Sequence, residues 1–145
     1  MENVEDTISP DGEIKRLDNE EALVKPVILA IDDSPVILKT VSSVLSNDYK
    51  VYTLPKPTEL GKVLQKVTPD LFLIDYQMPE LNGFDLVPII RSFDGHKDTP
   101  IIFLTSEDTL DALNAAIALG SSDFIVKPYN SDLLRETIAK YIDKK

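Results

Sequence analysis

The stretch VILAIDDSP, residues 27–35, places five apolar residues directly before two carboxylates, a serine and a proline. The apolar run predicts a buried β-strand over Val27–Ile31. Ser34 suits the N-cap of a helix and Pro35 suits its first position, so a helix is predicted to begin at once. A buried strand that ends in carboxylates and leads directly into a helix is therefore the unit on which the fold prediction rests.

The same strand-then-helix unit recurs four times along the chain. The later strands are predicted at Lys50–Leu54, Leu71–Ile74, Ile101–Leu104 and Phe124–Val126, and the helices that follow them at Pro57–Val67, Phe84–Phe93, Thr109–Leu119 and Ser131–Asp143. Such alternation predicts right-handed crossovers and a parallel sheet with helices on both faces. The predicted fold class is α/β, with five strands and five helices. Pro88 fits its helix only near the first turn or at a kink.

Composition and charge exclude several classes of function. The chain has 145 residues, which is enough for one domain with a core, and it has no cysteine for disulfides or zinc. No apolar run reaches the length of a membrane span, and no signal-peptide pattern starts the chain. The formal net charge of −10 argues against direct DNA binding by this chain. These features predict a cytoplasmic protein without a membrane span.

Residues 1–25 differ in composition from residues 26–145, which are predicted to form the domain. The first segment carries eight acidic and three basic residues and the turn signal SPDG at residues 9–12. We expect an acidic N-terminal extension that is disordered or, because apolar residues between Ile14 and Val24 fall near one face, a short helix.

Polar residues stand at the carboxyl ends of four predicted strands: Asp32 with Asp33, then Asp75, Thr105 and Lys127. Ligands of parallel sheets bind outside these strand ends, so the five residues are expected to converge. Two like charges about 4 Å apart repel by about 4 kcal/mol at an effective dielectric near 20. Crowded carboxylates therefore require a proton or a cation. Oxygen ligands without histidine or cysteine favour Mg²⁺, with Mn²⁺ as the alternative.

Lys127 and Thr105 indicate more than an ion site. An ammonium and a hydroxyl beside a metal-binding carboxylate cluster suit an incoming group with several anionic oxygens, as in phosphoryl transfer. A carboxylate can itself be the nucleophile and form an aspartyl phosphate. Asp75 is the candidate, because it stands alone at its strand end between the other groups.

Four motifs resemble the receiver domain of two-component response regulators. They are IDDS at residues 31–34, LIDYQMPELNG at 73–83, FLTS at 103–106 and DFIVKPY at 123–129. The resemblance covers residues 26–143 and implies a flavodoxin-like (βα)5 fold with strand order 2-1-3-4-5.

The resemblance also implies a role for each residue near the metal. Asp75 would be the phosphoacceptor. Asp33 would bind Mg²⁺ directly, Asp32 would do so mostly through water, and the backbone carbonyl of Gln77 would be a further ligand.

The remaining implied roles concern switching. Thr105 would be the switch hydroxyl and Phe124 the switch aromatic. Lys127 would bind the phosphoryl group, with a cis peptide bond before Pro128. Ser106 occupies a position where a small residue is expected.

Two further residues carry structural predictions. Gly83 is expected to supply a backbone angle in the loop after Asp75. His96 lies in the polar stretch at residues 94–98 and is expected to be solvated.

The predicted function is that of a phosphorelay receiver. A histidine kinase or histidine phosphotransfer protein would phosphorylate Asp75, and the face built from the fourth helix, fifth strand and fifth helix would then bind a downstream protein. Such a domain promotes its own phosphorylation and dephosphorylation but is not an enzyme. No effector domain follows the last predicted helix before the sequence ends at Lys145. Two interpretations are therefore kept: a stand-alone receiver and a fragment of a longer protein.

Three alternatives belong to other classes. A pseudo-receiver would bind partners without phosphate, although the acidic set, Thr105 and Lys127 are intact. A Mg²⁺-dependent phosphohydrolase with an aspartyl-phosphate intermediate usually has a second acid two residues after the nucleophile, where this chain has Gln77. A flavin-binding domain of the same topology would place a phosphate beside Asp32 and Asp33, which would repel it.

Overall fold

The computed structural model describes residues 5–8, 14–17, 25–79, 83–106, 110–118 and 120–142. Within these ranges, a parallel sheet of five strands forms the centre of the domain. We number its strands β1 (Val27–Ile31), β2 (Lys50–Leu54), β3 (Leu71–Asp75), β4 (Ile101–Thr105) and β5 (Asp123–Val126). Their order is β2-β1-β3-β4-β5, and every neighbouring pair is parallel. The predicted flavodoxin-like order 2-1-3-4-5 is confirmed.

A helix follows each strand. The helices are α1 (Pro35–Leu45), α2 (Leu60–Leu64), α3 (Leu86–Arg91), α4 (Leu110–Ala118) and α5 (Ser131–Ala139). Those after β2 and β3 begin later than predicted, because each is preceded by a single 3₁₀ turn, Pro57–Glu59 and Gly83–Asp85. The last helix ends at Ala139 rather than at the predicted Asp143. In the part of the chain that the structure describes, no helix is both long and apolar enough to cross a membrane.

Local sequence explains how the helices begin and end. The Ser34 hydroxyl accepts a hydrogen bond from the backbone N–H of Ile37 at the start of α1. The side chain of Asn130 caps α5 in the same way. Pro88 is the third residue of α3, inside the first turn, where a helix leaves backbone N–H groups without helical partners. The residue that fitted the helical pattern least therefore breaks no helical hydrogen bond.

The core consists of two apolar layers, one on each face of the sheet. Because successive strand residues point to opposite faces, Ile28 and Ala30 pack with α1 and α5, whereas Leu29 and Ile31 pack with α2 and α3. Strand β3 contributes fully buried residues to both layers. Burial on both faces fixes the register of the central strands, since a slip of one residue would exchange the layers. The strand ends, and the polar residues on them, are held rigidly as a result.

The N-terminal extension contains two short paired strands. Glu5–Ile8 pairs antiparallel with Ile14–Leu17, with Ile8 opposite Ile14. Over these residues the sequence predicted disorder or a short helix, and the structure differs from both. Opposed β-branched residues on either side of a turn signal favour a hairpin, whereas the helix interpretation considered periodicity alone. The turn signal lies outside the described residues, and the domain boundary at residue 25 stays a prediction.

Gly83 is required for space rather than for a special backbone angle. Its φ is not positive; in the described chain the glycine with positive φ is Gly120, at +101°, just after α4. A Cβ at Gly83 would lie 2.7 Å from the carbonyl oxygen of Asp75 and 2.7 Å from Cε1 of Phe103. The expectation of a special angle was therefore wrong: the loop after β3 passes too close to the strand ends for any side chain.

His96 is buried, so the expectation that it is solvated was wrong. The residue is 4% exposed, and its ring packs edge-on against Phe72 with 5.2 Å between ring centroids. Its Nδ1 lies 2.8 Å from the hydroxyl of Thr99, and its backbone carbonyl accepts a hydrogen bond from Arg91. Burial lowers the pKa of His96, and the positive charge of Arg91 lowers it further. The polar loop folds back onto the sheet, which local sequence does not reveal.

Gly83→Ala should destabilise the domain by about 1–3 kcal/mol, because the added methyl group must displace backbone at Asp75 or the ring of Phe103. Urea unfolding measures this change. Gly61→Ala is the matched control, because a Cβ at position 61 meets no heavy atom within 4 Å. The substitution also replaces a glycine inside the helix α2. It should be neutral or stabilise by about 0.5–1 kcal/mol. Equal effects of the two substitutions would contradict the close-approach explanation.

Candidate functional site

Three carboxylates meet at the carboxyl edge of the sheet. Asp32 and Asp33 follow β1, and Asp75 is the last residue of its neighbour β3. One ligand oxygen from each of the three lies within 4.8 Å of the others. Asp32 and Asp75 are 3% and 5% exposed, whereas Asp33 is exposed. The strand pairing therefore brings together acids that are more than forty positions apart in the sequence.

This arrangement disfavours the ionised form of Asp32. Burial, followed by repulsion from Asp75 and Asp33, raises the pKa of Asp32 to about 6. The backbone N–H of Ser34, which donates to Asp32 Oδ1 at 2.9 Å, and the charge of Lys127 oppose this rise. Asp32 Oδ2 is buried without a hydrogen-bond partner among the described residues. A proton or a cation is the group that this oxygen lacks.

Lys127 brings a positive charge to Asp75 from the end of β5, which lies two strands away from β3 in the sheet. It follows β5, and its Nζ donates to Asp75 Oδ1 at 3.0 Å across the end of β4. Its backbone N–H is bonded to the carbonyl of Thr105 at 2.7 Å, which fixes where its side chain starts. The peptide bond between Lys127 and Pro128 is cis, as predicted. Thr105, the last residue of β4, is buried between these groups.

The donor set fits a hard divalent cation. The cluster consists of carboxylate oxygens, one of them orphaned, and includes no histidine or cysteine. Such a set suits Mg²⁺ or Mn²⁺. Gln77 lies two residues beyond Asp75 with its side chain exposed. The role of its backbone carbonyl as a further ligand stays a prediction.

Phe124 lies in β5 opposite Phe103 and is half-buried against the core layer on the α2 and α3 side. Its predicted role as a switch aromatic is not tested by this position.

Tyr129 is half-buried against the opposite layer. Burial raises the pKa of its hydroxyl, and the negative charges of Asp32 and Asp75 raise it further.

One contact at the site was missed by sequence reasoning. The hydroxyl of Ser106 donates to Oε1 of Gln77 at 3.1 Å, joining the loops that follow β3 and β4. The sequence offered a partial signal, since both are polar residues placed just after a strand-end functional residue. Their mutual distance depends on how β3 and β4 pair, which local patterns do not give.

Asp32→Asn should stabilise the metal-free domain at about pH 7.5 and have little effect near pH 4. The pKa of Asp32 in the folded chain, about 6, lies above its ordinary value of 3.8. The stability gained from binding this proton is therefore complete below about pH 4 and is lost as the pH rises through 6. The expected gain at pH 7.5 is roughly 1–3 kcal/mol.

Urea unfolding in EDTA at several pH values measures this difference between wild type and variant. Asp33→Asn is the control, because its exposed carboxylate is already hydrated and should give a smaller gain. A gain from Asp32→Asn that is the same at both pH values would contradict the argument.

Comparisons with known proteins agree with this geometry. The response regulator receiver domain family matches residues 28–139. Protein RcaC of Microchaete diplosiphon is 32% identical over 118 residues, which cover 81% of this chain and 18% of that protein. Regulatory protein LuxO of Vibrio vulnificus is 32% identical over 105 residues, covering 66% and 23% respectively.

The chain thus spans roughly a fifth of the length of these two curated relatives. Among solved structures, chemotaxis protein CheY4 of Vibrio cholerae has a TM-score of 0.77 and 32% identity, with 81% of this chain and 99% of that chain covered. The family match extends over most of the described domain and includes every strand of the parallel sheet except the first residue of β1. This chain belongs to the response regulator receiver domain family.

Proposed function

We propose that this chain is the phosphoacceptor of a two-component phosphorelay and that Asp75 carries the phosphoryl group. The observation that supports this most strongly is the Lys127–Asp75 ion pair, 3.0 Å long, within a cluster of three carboxylates. Asp75 is a buried carboxylate that offers a nucleophilic oxygen. Its neighbour Lys127 supplies the positive charge for a tetrahedral phosphoryl anion, and its anionic neighbour Asp33 is exposed to solvent.

In the transfer step, an oxygen of the Asp75 carboxylate forms a bond to phosphorus. The bond from phosphorus to the imidazole nitrogen of the donor breaks, and its electron pair stays on that nitrogen. Lys127 stabilises the charge on the phosphoryl oxygens, since its Nζ already contacts Asp75 Oδ1. Thr105, at the end of the adjacent strand, is the proposed hydrogen-bond donor to a further phosphoryl oxygen.

Asp32, Asp33 and Asp75, with the backbone carbonyl of Gln77, are the proposed ligands of Mg²⁺ or Mn²⁺. When bound, the cation neutralises charge on the carboxylates and on the incoming phosphoryl group. The orphaned Asp32 Oδ2 supports this assignment, because a buried acceptor without a donor is expensive unless a cation or proton satisfies it.

The proposed output is a shift between two populations of one fold. The phosphoryl group stabilises the form in which Thr105 contacts it and Phe124 is repositioned, so that form becomes more populated. The surface of α4, β5 and α5 then binds a downstream protein. A histidine kinase or histidine phosphotransfer protein is the proposed donor, and the domain is a phosphoacceptor rather than a classical enzyme.

Acetyl phosphate with Mg²⁺ should add the mass of one phosphoryl group to the intact chain, because the acceptor needs only a small donor and charge neutralisation. Asp75→Asn should abolish the adduct, and EDTA should strongly reduce it. Mass spectrometry of the intact protein measures each result. Asp111→Asn, an exposed aspartate on α4, is the matched control and should keep the adduct.

An adduct that persists in Asp75→Asn would place the acceptor elsewhere. No adduct on the folded wild-type chain at any Mg²⁺ concentration would favour the pseudo-receiver, which binds partners without phosphate.

A further inference from the structure

Arg91, the last residue of α3, binds three backbone carbonyls at the amino edge of the sheet. Its Nη1 donates to the carbonyl oxygens of His96 at 2.9 Å and Thr99 at 2.7 Å, and its Nη2 donates to that of Gly120 at 2.7 Å. His96 and Thr99 lie in the loop before β4, whereas Gly120 lies two residues after α4. The planar guanidinium, with its several fixed donors, therefore connects that loop to the carboxyl end of α4.

The carboxyl end of α4 lies against α3 at this point. Gly120 has a φ of +101°, which favours glycine, and its N–H donates to the carbonyl of Ile117 at 3.0 Å. A Cβ at Gly120 would lie 3.5 Å from Cγ1 of Val87 and 3.9 Å from Nε of Arg91, both on α3. A positive charge is favourable beside the last carbonyls of a helix. Arg91 thus supplies both a charge and a hydrogen bond that hold the end of α4.

His96 is the buried centre of the loop that Arg91 binds. Its ring packs edge-on against Phe72 with 5.2 Å between ring centroids, and its Nδ1 lies 2.8 Å from the hydroxyl of Thr99. The same residue presents its backbone carbonyl to Arg91, so the position of the ring and the position of that carbonyl are linked. We call the four connected residues the amino-edge cluster: Arg91, His96, Thr99 and Gly120.

The surroundings of His96 favour its neutral form. Burial lowers the pKa of the imidazole, and the charge of Arg91 from α3 lowers it further. Asp70, just before β3, acts in the opposite direction as the weakest of these causes. Its carboxylate is exposed and already accepts a hydrogen bond from the N–H of Val27 at 2.8 Å. The other charged side chains of the loop are exposed to solvent: Asp94, Lys97 and Asp98.

We propose that His96 is a pH sensor for α4: with a neutral ring the amino-edge cluster holds the carboxyl end of α4, and a protonated ring opens the loop and releases that end. The proton comes from solvent and binds a ring nitrogen. The inference does not depend on phosphorylation of Asp75, because the cluster lies at the opposite edge of the sheet from the carboxylates.

Protonation would place a second positive charge beside Arg91 in a site that excludes solvent. Opening of the loop relieves this by exposing the ring, and both sequence neighbours of His96 are already exposed, so few other buried groups have to move. Opening also moves the carbonyls of His96 and Thr99 away from Arg91. The guanidinium then keeps one of its three acceptors, and the bond to Gly120 no longer benefits from a side chain fixed by the other two.

The direction of the pH effect follows from the lowered pKa. The free imidazole has a pKa of 6.5, and the folded chain lowers it. Folding and loop closure are therefore favoured fully at pH values above 6.5, and this advantage is lost as the pH falls through the lower pKa of the folded chain. Histidine is suited to this role, since small changes in surroundings move its charge change within the range of pH 5 to 8.

NMR titration of the full wild-type chain between pH 7.5 and 4.5 tests the inference. The chain contains a single histidine, so one set of imidazole signals reports on His96. Its midpoint should lie below 6.5, and the amide signal of Gly120 should shift with the same midpoint. Gly61, in α2, is the internal control, and its amide signal should not follow His96.

His96→Gln removes the titrating group and should abolish the shift of the Gly120 signal between pH 7.5 and 4.5. His96→Phe keeps a ring against Phe72 and takes the place of His96→Gln if that variant does not fold. In urea unfolding, the wild type should lose more of its midpoint concentration than the variant as the pH falls from 7.5 to 5. The contribution of Asp32 cancels in this comparison, because Asp32 lies at the other edge of the sheet in both chains.

Four results would overturn the pH-sensor inference. They are a His96 midpoint at or above 6.5, a ring that stays neutral down to pH 4.5, a Gly120 signal that does not move while His96 titrates, and a Gly120 shift that persists without the histidine. None of them affects the proposed phosphorylation of Asp75, which is measured separately by the mass of the intact chain.

Discussion

Repulsion among the carboxylates of Asp32, Asp33 and Asp75 is the constraint on which the site depends. Parallel pairing of β1 with β3 forces these acids to within 4.8 Å of one another, and burial raises the pKa of Asp32 to about 6. Among the described residues, Lys127 makes the ion pair with this cluster. A bound cation would therefore stabilise the site. Because the core is packed on both faces of the sheet, the strands cannot move apart to relieve the repulsion.

Much of the fold could be predicted because the strands are short apolar runs bounded by polar residues. β1 and β2 have the predicted bounds, and the other strands are each one residue longer, by Asp75, Thr105 and Asp123. Backbone pairing, rather than side-chain polarity, decides where a strand ends. The candidate site residues Asp75 and Thr105 consequently belong to the ladder itself, which holds them more firmly than a loop would.

The features that sequence reasoning missed arise from contacts between distant segments. His96 is buried because its loop folds onto Phe72, and Gly83 is needed because the chain passes close to Phe103. The Gln77–Ser106 bond likewise requires that β3 and β4 be neighbours. Residue types and spacing predicted that the acids, the hydroxyl and the lysine would meet at one edge of the sheet, because the carboxyl ends of parallel strands lie together, and the structure places them there. They could not give the side-chain contact between Gln77 and Ser106, which depends on loop geometry.

Anomalous diffraction from crystals soaked in Mn²⁺ shows whether the three carboxylates bind a divalent cation, because it locates the ion without assuming a reaction. We expect one strong peak within coordination distance of carboxylate oxygens from Asp33 and Asp75, and we expect crystals of Asp33→Asn to lose it. Absence of a peak among the three carboxylates at saturating Mn²⁺, in crystals whose strand ends match this geometry, would contradict it.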